Sequence, residues 1–317
     1  MHSQWQEPQF IDDELGGITT SHGPYVLKSA FQPIFSQSRS GQLIIQAFEG
    51  LIRPYRQGKP VSPGQFFQSV EDDDALHVDR LCRGLHLRNL LRVNRPNAGL
   101  FVNFNPSFYA SAADIDYEVS GFASLCAETG VSTRSVVCEI TEQGSDESLL
   151  SLMVERLRDA RFKIAVDDYG AHESDLQRVE RLRPDIVKFD AAWVHRFVET
   201  PDGKMVLQEM VQTFREKGMA SLFEGLEEEK QVNFCEEIGV SFLQGFALAR
   251  PELTPTSFNV RFPETSPAAQ PELSPDADGE AGRHIHLERS AVSRLPEEPS
   301  AAAGPKRRNA PFGRRSR

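Results

Sequence analysis

The sequence predicts an α/β fold, a (β/α)8 TIM-like barrel with an antiparallel first strand and a disordered C-terminal tail. Three observations carry that prediction. The ordered body, 24–253, holds about 230 residues, near the ~250 typical of such barrels. Inside it, eight short β-branched or aromatic runs alternate with longer stretches of helical period, the mark of crossover units around a mainly parallel sheet. Polar residues then sit at or near the carboxyl end of strand after strand, where barrels of this kind gather their chemistry.

In chain order, residues 1–23 carry one apolar patch around Phe10 and Ile11 and a Gly16-Gly17 breaker, and are expected as an N-terminal leader or small docking piece. The strands follow as SAFQPIF (29–35), LIIQAFEG (43–50), GLFVNFN (99–105), SVVCEI (135–140), FKIAVDD (162–168), DIVKFD (185–190), ASLFEG (220–225) and VSFLQGF (240–246). SQSRSG between the first two reads as a hairpin, which sets strand one antiparallel to strand two. Segments such as VDRLCRGLHLRNLLRV and GKMVLQEMVQTFREKG place apolar residues three and four apart, as helices that cover a barrel must. From 254 to 317 the chain is rich in Pro, Ala, Ser and Glu, lacks either period and ends in KRRNAPFGRRSR, so it reads as disordered. Its basic end could reach a protein partner, though a solubilising tail explains it as well.

Composition narrows the function. With 39% hydrophobic and 26% charged residues and a mean hydropathy of -0.41, the chain is not disordered throughout. Its apolar runs fall short of the roughly 18 to 20 residues of a membrane span, and MHSQWQEPQF lacks a signal pattern, so a cytoplasmic protein without a transmembrane segment is expected. Cys82, Cys126, Cys138 and Cys235 are far apart with no CxxC pair, as reduced thiols would be. The net charge of -11 argues against duplex nucleic acid as a partner. Residues 254–317 hold ten basic and eight acidic residues, leaving -13 on the rest, so a body that handles an anionic ligand needs cations at its site.

Those strand ends carry Glu49, Asn103, Glu139, Asp167 and Asp168, Lys188 and Asp190, Glu224, and Gln244. Taken alone, Asp167-Asp168 would suit a helix N-terminus or a turn. Five carboxylates converging in one barrel mouth cannot all stay ionised without counter-charge, and hard oxygen donors suit Mg2+ or Mn2+. The count exceeds one ion, so two ions bridged by Asp167 are expected, the arrangement that serves in-line displacement at phosphorus. Lys188 would orient the attacking water or neutralise a phosphoryl oxygen.

The segments FQPIF, EGLIRP, FVNFN, CEITE, VDDYG, VKFD, FEGLE and QGFALARP, in this order and spacing over 24–253, resemble the bacterial EAL-domain family of cyclic di-GMP phosphodiesterases. The resemblance implies that Glu49, Asn103, Glu139, Asp167, Asp168 and Glu224 bind two Mg2+ or Mn2+ ions. It makes Lys188 the contact to the catalytic water, with Glu49, Asp168 and Glu224 also catalytic. Arg53 matches an arginine that clamps a substrate phosphate, and Gln32, Asp79, Gln244 and Pro251 match positions near the dinucleotide. Asp190 matches an acid behind the ligands, Glu142 the glutamate that holds the loop after strand five, and Glu227 a supporting acid. The implied reaction opens cyclic di-GMP to linear pGpG, in a homodimer.

Two stretches depart from the family pattern. The signature reads Glu-Gly-Leu instead of Glu-Ala-Leu, which keeps Glu49. The loop after strand five reads DDYGAHESDL, with Tyr169 for Phe, His172 for Gly and an added Glu173, changes that bear on rate and regulation more than on chemistry. His172 is expected as an exposed loop residue, and His77, His86 and His195 as structural or surface residues, while His284 and His286 receive no role. The alternatives are a catalytically silent cyclic di-GMP receptor acting through a partner, and an interaction protein that uses the scaffold without ligand. Against both stands the complete carboxylate set, which without metal would destabilise the barrel.

Overall fold

The computed structural model describes residues 9–38, 41–141, 146–170 and 175–264. Strands β1 (Ile11–Asp12) and β2 (Ile18–His22) lead into a long antiparallel hairpin of β3 (Tyr25–Gln37) and β4 (Leu43–Arg56). The five residues between β3 and β4 are too few for a parallel crossover, which takes a dozen or more, so the pair must be antiparallel. After β5 (Lys59–Pro60), α1 (Pro63–Gln68) and α2 (Ala75–Val93), strands and helices alternate. They run β6 (Gly99–Phe104), α3 (Ala112–Thr129), β7 (Val136–Ile140), α4 (Glu147–Asp159), β8 (Lys163–Tyr169), α5 (Asp175–Leu182) and β9 (Ile186–Phe189). Then come α6 (Ala191–Val198), α7 (Pro201–Glu216), β10 (Ala220–Phe223), α8 (Glu229–Glu237), β11 (Phe242–Leu243), β12 (Glu252–Leu253) and α9 (Phe258–Arg261).

The expected barrel is present. β3, β4, β6, β7, β8, β9, β10 and β11 pair in that order, and β11 returns to β3 to close the ring. β3 is antiparallel to both neighbours, whereas the other contacts around the ring are parallel. Each strand contributes to one apolar layer inside: Ile34, Ala47, Phe101, Val137, Ala165, Ile186, Ala220 with Leu222, and Phe242. That layer makes the barrel a packed core with a floor. Outside, helix stripes such as Leu150, Met153, Val154 and Leu157 of α4 cover the sheet.

The described chain extends beyond both expected boundaries of the barrel. β2 pairs with the start of β3, and Asn89 on α2 accepts the Ile18 N–H and donates to the Ile18 carbonyl, each at 2.8 Å. At the other end, β12 pairs with β3 at Phe31 and Ala30, and the described chain continues to Glu264. Phe258 is fully buried and stacks on Phe48 with centroids 5.6 Å apart, while Phe262 meets Phe35 edge-on at 4.9 Å. The two rings are four positions apart, about one helical turn, a signal that averaging over a Pro- and Ala-rich tail conceals. The rest of the tail, with its basic end, and residues 1–8 lie outside the described residues. Replacing Phe258 by alanine is expected to lower stability by about 3 to 5 kcal/mol in urea unfolding; an unchanged midpoint would show that α9 does not help to hold the outer face of β4.

Candidate active site

The site is the next layer of the barrel interior. Side chains two apart on a strand share a face, so one step from each floor residue toward the carboxyl ends brings another inward group. The steps run from Ala47 to Glu49, Phe101 to Asn103, Val137 to Glu139, Ala165 to Asp167, Ile186 to Lys188, Leu222 to Glu224 and Phe242 to Gln244. On antiparallel β3 the step is reversed, from Ile34 to Gln32, which pairs across from Glu49. A polar ring thus rests on an apolar floor.

Lys188 is its hub. The side chain is only 2% exposed, and Nζ lies 2.5 Å from Glu139, 2.7 Å from Glu224, 2.9 Å from Asp167 and 3.9 Å from Glu49. Burial alone would pull the lysine pKa down, but Asp167, Glu139, Glu224 and Glu49 overcome it and hold the pKa well above the ordinary value. Glu139, fully buried, is pushed well up by burial, which Lys188 opposes and Glu49 and Asp167 reinforce. Glu224 is pushed up to about 8, by burial first and then by Asp167 and Glu49, against the pull of Lys188. Gln244, itself buried, donates through Nε2 to Glu49 Oε2 at 2.8 Å and fixes that carboxylate.

Consecutive residues of a regular strand point to opposite faces, yet Asp167 and Asp168 both serve the mouth. A register shift against β9 between Val166 and Tyr169 breaks the alternation, and Asp168 takes a left-handed φ of 56°. As a result Asp167, Asp168 and Glu224 each present an oxygen within 4.8 Å of the others. Arg178 on α5, nearly buried, secures the neighbouring chain by donating to the carbonyls of Ile140 and of Asp167, the latter at 3.2 Å. Asp190 caps α6 by accepting the Trp193 N–H at 2.8 Å, and its own N–H donates to the Tyr169 carbonyl at 3.0 Å. Behind Glu224, the His195 ring meets the Gly225 carbonyl at 2.6 Å. Sequence reasoning missed Arg178 and the role of His195, since neither lies on a strand end.

A divalent cation fits this donor set. One ammonium faces four carboxylates, and the second oxygen of Glu139, Oε2, is buried with no hydrogen-bond partner. Hard oxygens with surplus negative charge match Mg2+ or Mn2+. Asn103, exposed and paired across from Glu139, offers an amide oxygen to the same mouth.

The other expected residues sit on β4, on α2 and in the segments that follow β10 and β11. Arg53, four residues beyond Glu49 on β4, is half-buried and donates to its neighbour's carbonyl, Ile52, at 2.9 Å; burial lowers its pKa and Glu49 opposes that. Asp79 is engaged by buried Arg83 of α2, which also pairs with Glu118 of α3 at 2.5 Å. Burial raises the Asp79 pKa and Arg83 opposes the rise. Pro251 is half-buried and Glu227 exposed, the latter joined through its backbone N–H to Gln231. Glu142, His172 and Glu173 lie outside the described residues. The four cysteines are free thiols, and among the described residues no helix is long and apolar enough to cross a membrane.

A barrel entered by an antiparallel strand, with this ring at its mouth, defines one class of domain. Residues 26–251 match the EAL domain family, and the chain belongs to it. Among curated relatives, the probable cyclic di-GMP phosphodiesterase PdeA of Escherichia coli is 30% identical over 124 residues, 38% of this chain and 17% of the relative. The cyclic di-GMP phosphodiesterase RocR of Pseudomonas aeruginosa is 30% identical over 181 residues, 56% of this chain and 45% of the relative. The chain therefore spans under half the length of each. The structure of Bacillus subtilis YkuI, an EAL-domain protein in complex with cyclic di-GMP and calcium, matches with a TM-score of 0.64 and 25% identity, covering 74% of this chain and 58% of that one.

The raised carboxyl groups make cation binding proton-linked. With its pKa pushed up to about 8, Glu224 is expected to hold a proton at pH 7 that a cation must displace, so Mn2+ binding should release protons at pH 7 and fewer at pH 9. Apparent affinity should climb by up to about tenfold per pH unit per displaced proton as the pH rises toward 8. Calorimetry in buffers of different ionisation enthalpy measures this, and binding at pH 7 with no proton release would contradict the assignment.

Proposed function

We propose that this chain hydrolyses one phosphodiester of cyclic di-GMP to give linear pGpG, using two Mg2+ or Mn2+ ions. The observation that carries the reading is the ring itself: Glu49, Glu139, Asp167 and Glu224 gathered around Lys188, with Asp168 beside Asp167 and Glu224, and more negative charge than one lysine balances. The names of PdeA and RocR support the same substrate.

When bound, two divalent ions supply a water activated for attack and charge stabilisation at the phosphoryl group. The six oxygen-donor side chains Glu49, Asn103, Glu139, Asp167, Asp168 and Glu224 would hold them. Lys188, kept cationic by its acidic neighbours, directs its ammonium at the attacking water or at a phosphoryl oxygen and offsets the negative charge that grows there. Gln244 keeps Glu49 from rotating away from the mouth. Arg53 brings a planar donor fork, suited to a phosphate, along the strand that carries Glu49. Gln32, Asp79 and Pro251 complete the surroundings of the dinucleotide, and Asp190 and Glu227 support the loops behind it.

Purified protein incubated with cyclic di-GMP and Mn2+, with products separated by chromatography, is expected to yield pGpG that EDTA abolishes. Glu49→Ala should reduce the rate by at least about a hundredfold, since even partners outside the ligand set cost 10- to 100-fold when removed. Full turnover by Glu49→Ala would sink the proposal, and cyclic di-GMP binding without product would make the chain a receptor.

A further inference from the structure

Gly50 follows Glu49 on β4 and so turns its hydrogen atoms outward, toward α2. A methyl group there would lie 2.7 Å from Cγ, 2.9 Å from Cδ2 and 3.0 Å from Cβ of His86, well inside the ~3.5 to 4.0 Å of a normal carbon contact. These atoms stand at the root of the histidine side chain, where turning the ring cannot clear them. The ring is also held: it is buried, its Nδ1 lies 2.8 Å from Ser29 Oγ, and it packs edge-on against Phe31 at 6.3 Å. Ser29 in turn accepts from Asn89 Nδ2 at 3.3 Å, on the same helix. Phe31 is the residue that pairs with Gly50 across the hairpin, and Gln32 the one that pairs with Glu49. His86 therefore stands in a socket built from the two strands directly behind the Glu49 carboxylate.

We propose that His86 and Gly50 are a matched pair that sets how closely β4 seats on α2, which makes His86 a positioning residue for Glu49. Glycine in the Glu-Gly-Leu signature is then the residue this histidine requires. Burial, with Arg53 adding to it, pushes the His86 pKa down to about 3, so the ring stays neutral at working pH and the contact is steric and hydrogen-bonded.

The proposal rests on the metal-site reading, so the test reads Mn2+ binding directly, by calorimetry on the full chain, with circular dichroism as the check on folding. Gly50→Ala is expected to weaken Mn2+ binding by about tenfold, the lower end of the effect of moving a ligand's support. Adding His86→Ala to that variant should restore most of the loss, because it opens the space the methyl needs. If Gly50→Ala fails to fold, a folded Gly50→Ala/His86→Ala chain that binds Mn2+ supports the pairing equally. Parent-like Mn2+ binding by Gly50→Ala, or a double variant no better than the single, would overturn it. A parent chain that binds Mn2+ but leaves cyclic di-GMP intact would remove the phosphodiesterase reading and leave this comparison standing.

Discussion

One buried ammonium organises the barrel mouth. Lys188 rises from a floor of aliphatic and aromatic side chains and meets carboxylates from four other strands. Removing any of these acids from water is costly, and a single positive charge offsets only part of it. The remainder is stored as raised carboxyl pKa values and in the unpartnered second oxygen of Glu139. The protein is thereby stabilised by whatever cation enters the ring. Affinity for a divalent ion and strain without one have the same electrostatic origin.

Placing that many acids on one face demands backbone devices. Seven strands deliver one inward polar group each by simple alternation. β8 must deliver two neighbours, and it does so by giving up ladder pairing between Val166 and Tyr169 and turning Asp168 into the left-handed region. Arg178 takes the Asp167 carbonyl at this break and the Ile140 carbonyl at the end of β7, and Asp190 caps α6 through the Trp193 N–H. Basic and acidic residues that never face the mouth therefore hold the chain that does.

Much of this could be read in the sequence, because alternation in a strand is a local property. Apolar-x-polar triplets such as Ala47-Phe48-Glu49, Val137-Cys138-Glu139 and Ile186-Val187-Lys188 announce floor and ring together. What stayed hidden depends on contacts between distant segments. Arg178 looks like any surface arginine on a helix until α5 folds over the ends of β7 and β8. The match of Gly50 to His86 joins positions 36 residues apart, and a glycine replacing an alanine reads as a neutral change until the ring is seen. Phe258 and Phe262 escaped because two rings in a Pro-rich stretch make a weak pattern, although they pack on Phe48 and Phe35 of the barrel strands.

The reversed direction of β3 gives the domain a polarity. A strand running down into the barrel begins at the mouth, so β1 and β2 flank the hairpin near Lys28 and Arg53, on the same side as the ring. The last described helix instead packs beneath, where Asn259 holds the end of α2. The chain thus arrives beside the chemistry and departs behind it. A mechanical or binding event on the incoming strands is felt at the rim through shared backbone, whereas one on the outgoing segment reaches Glu49 through its outward-facing neighbour Phe48, on which Phe258 stacks.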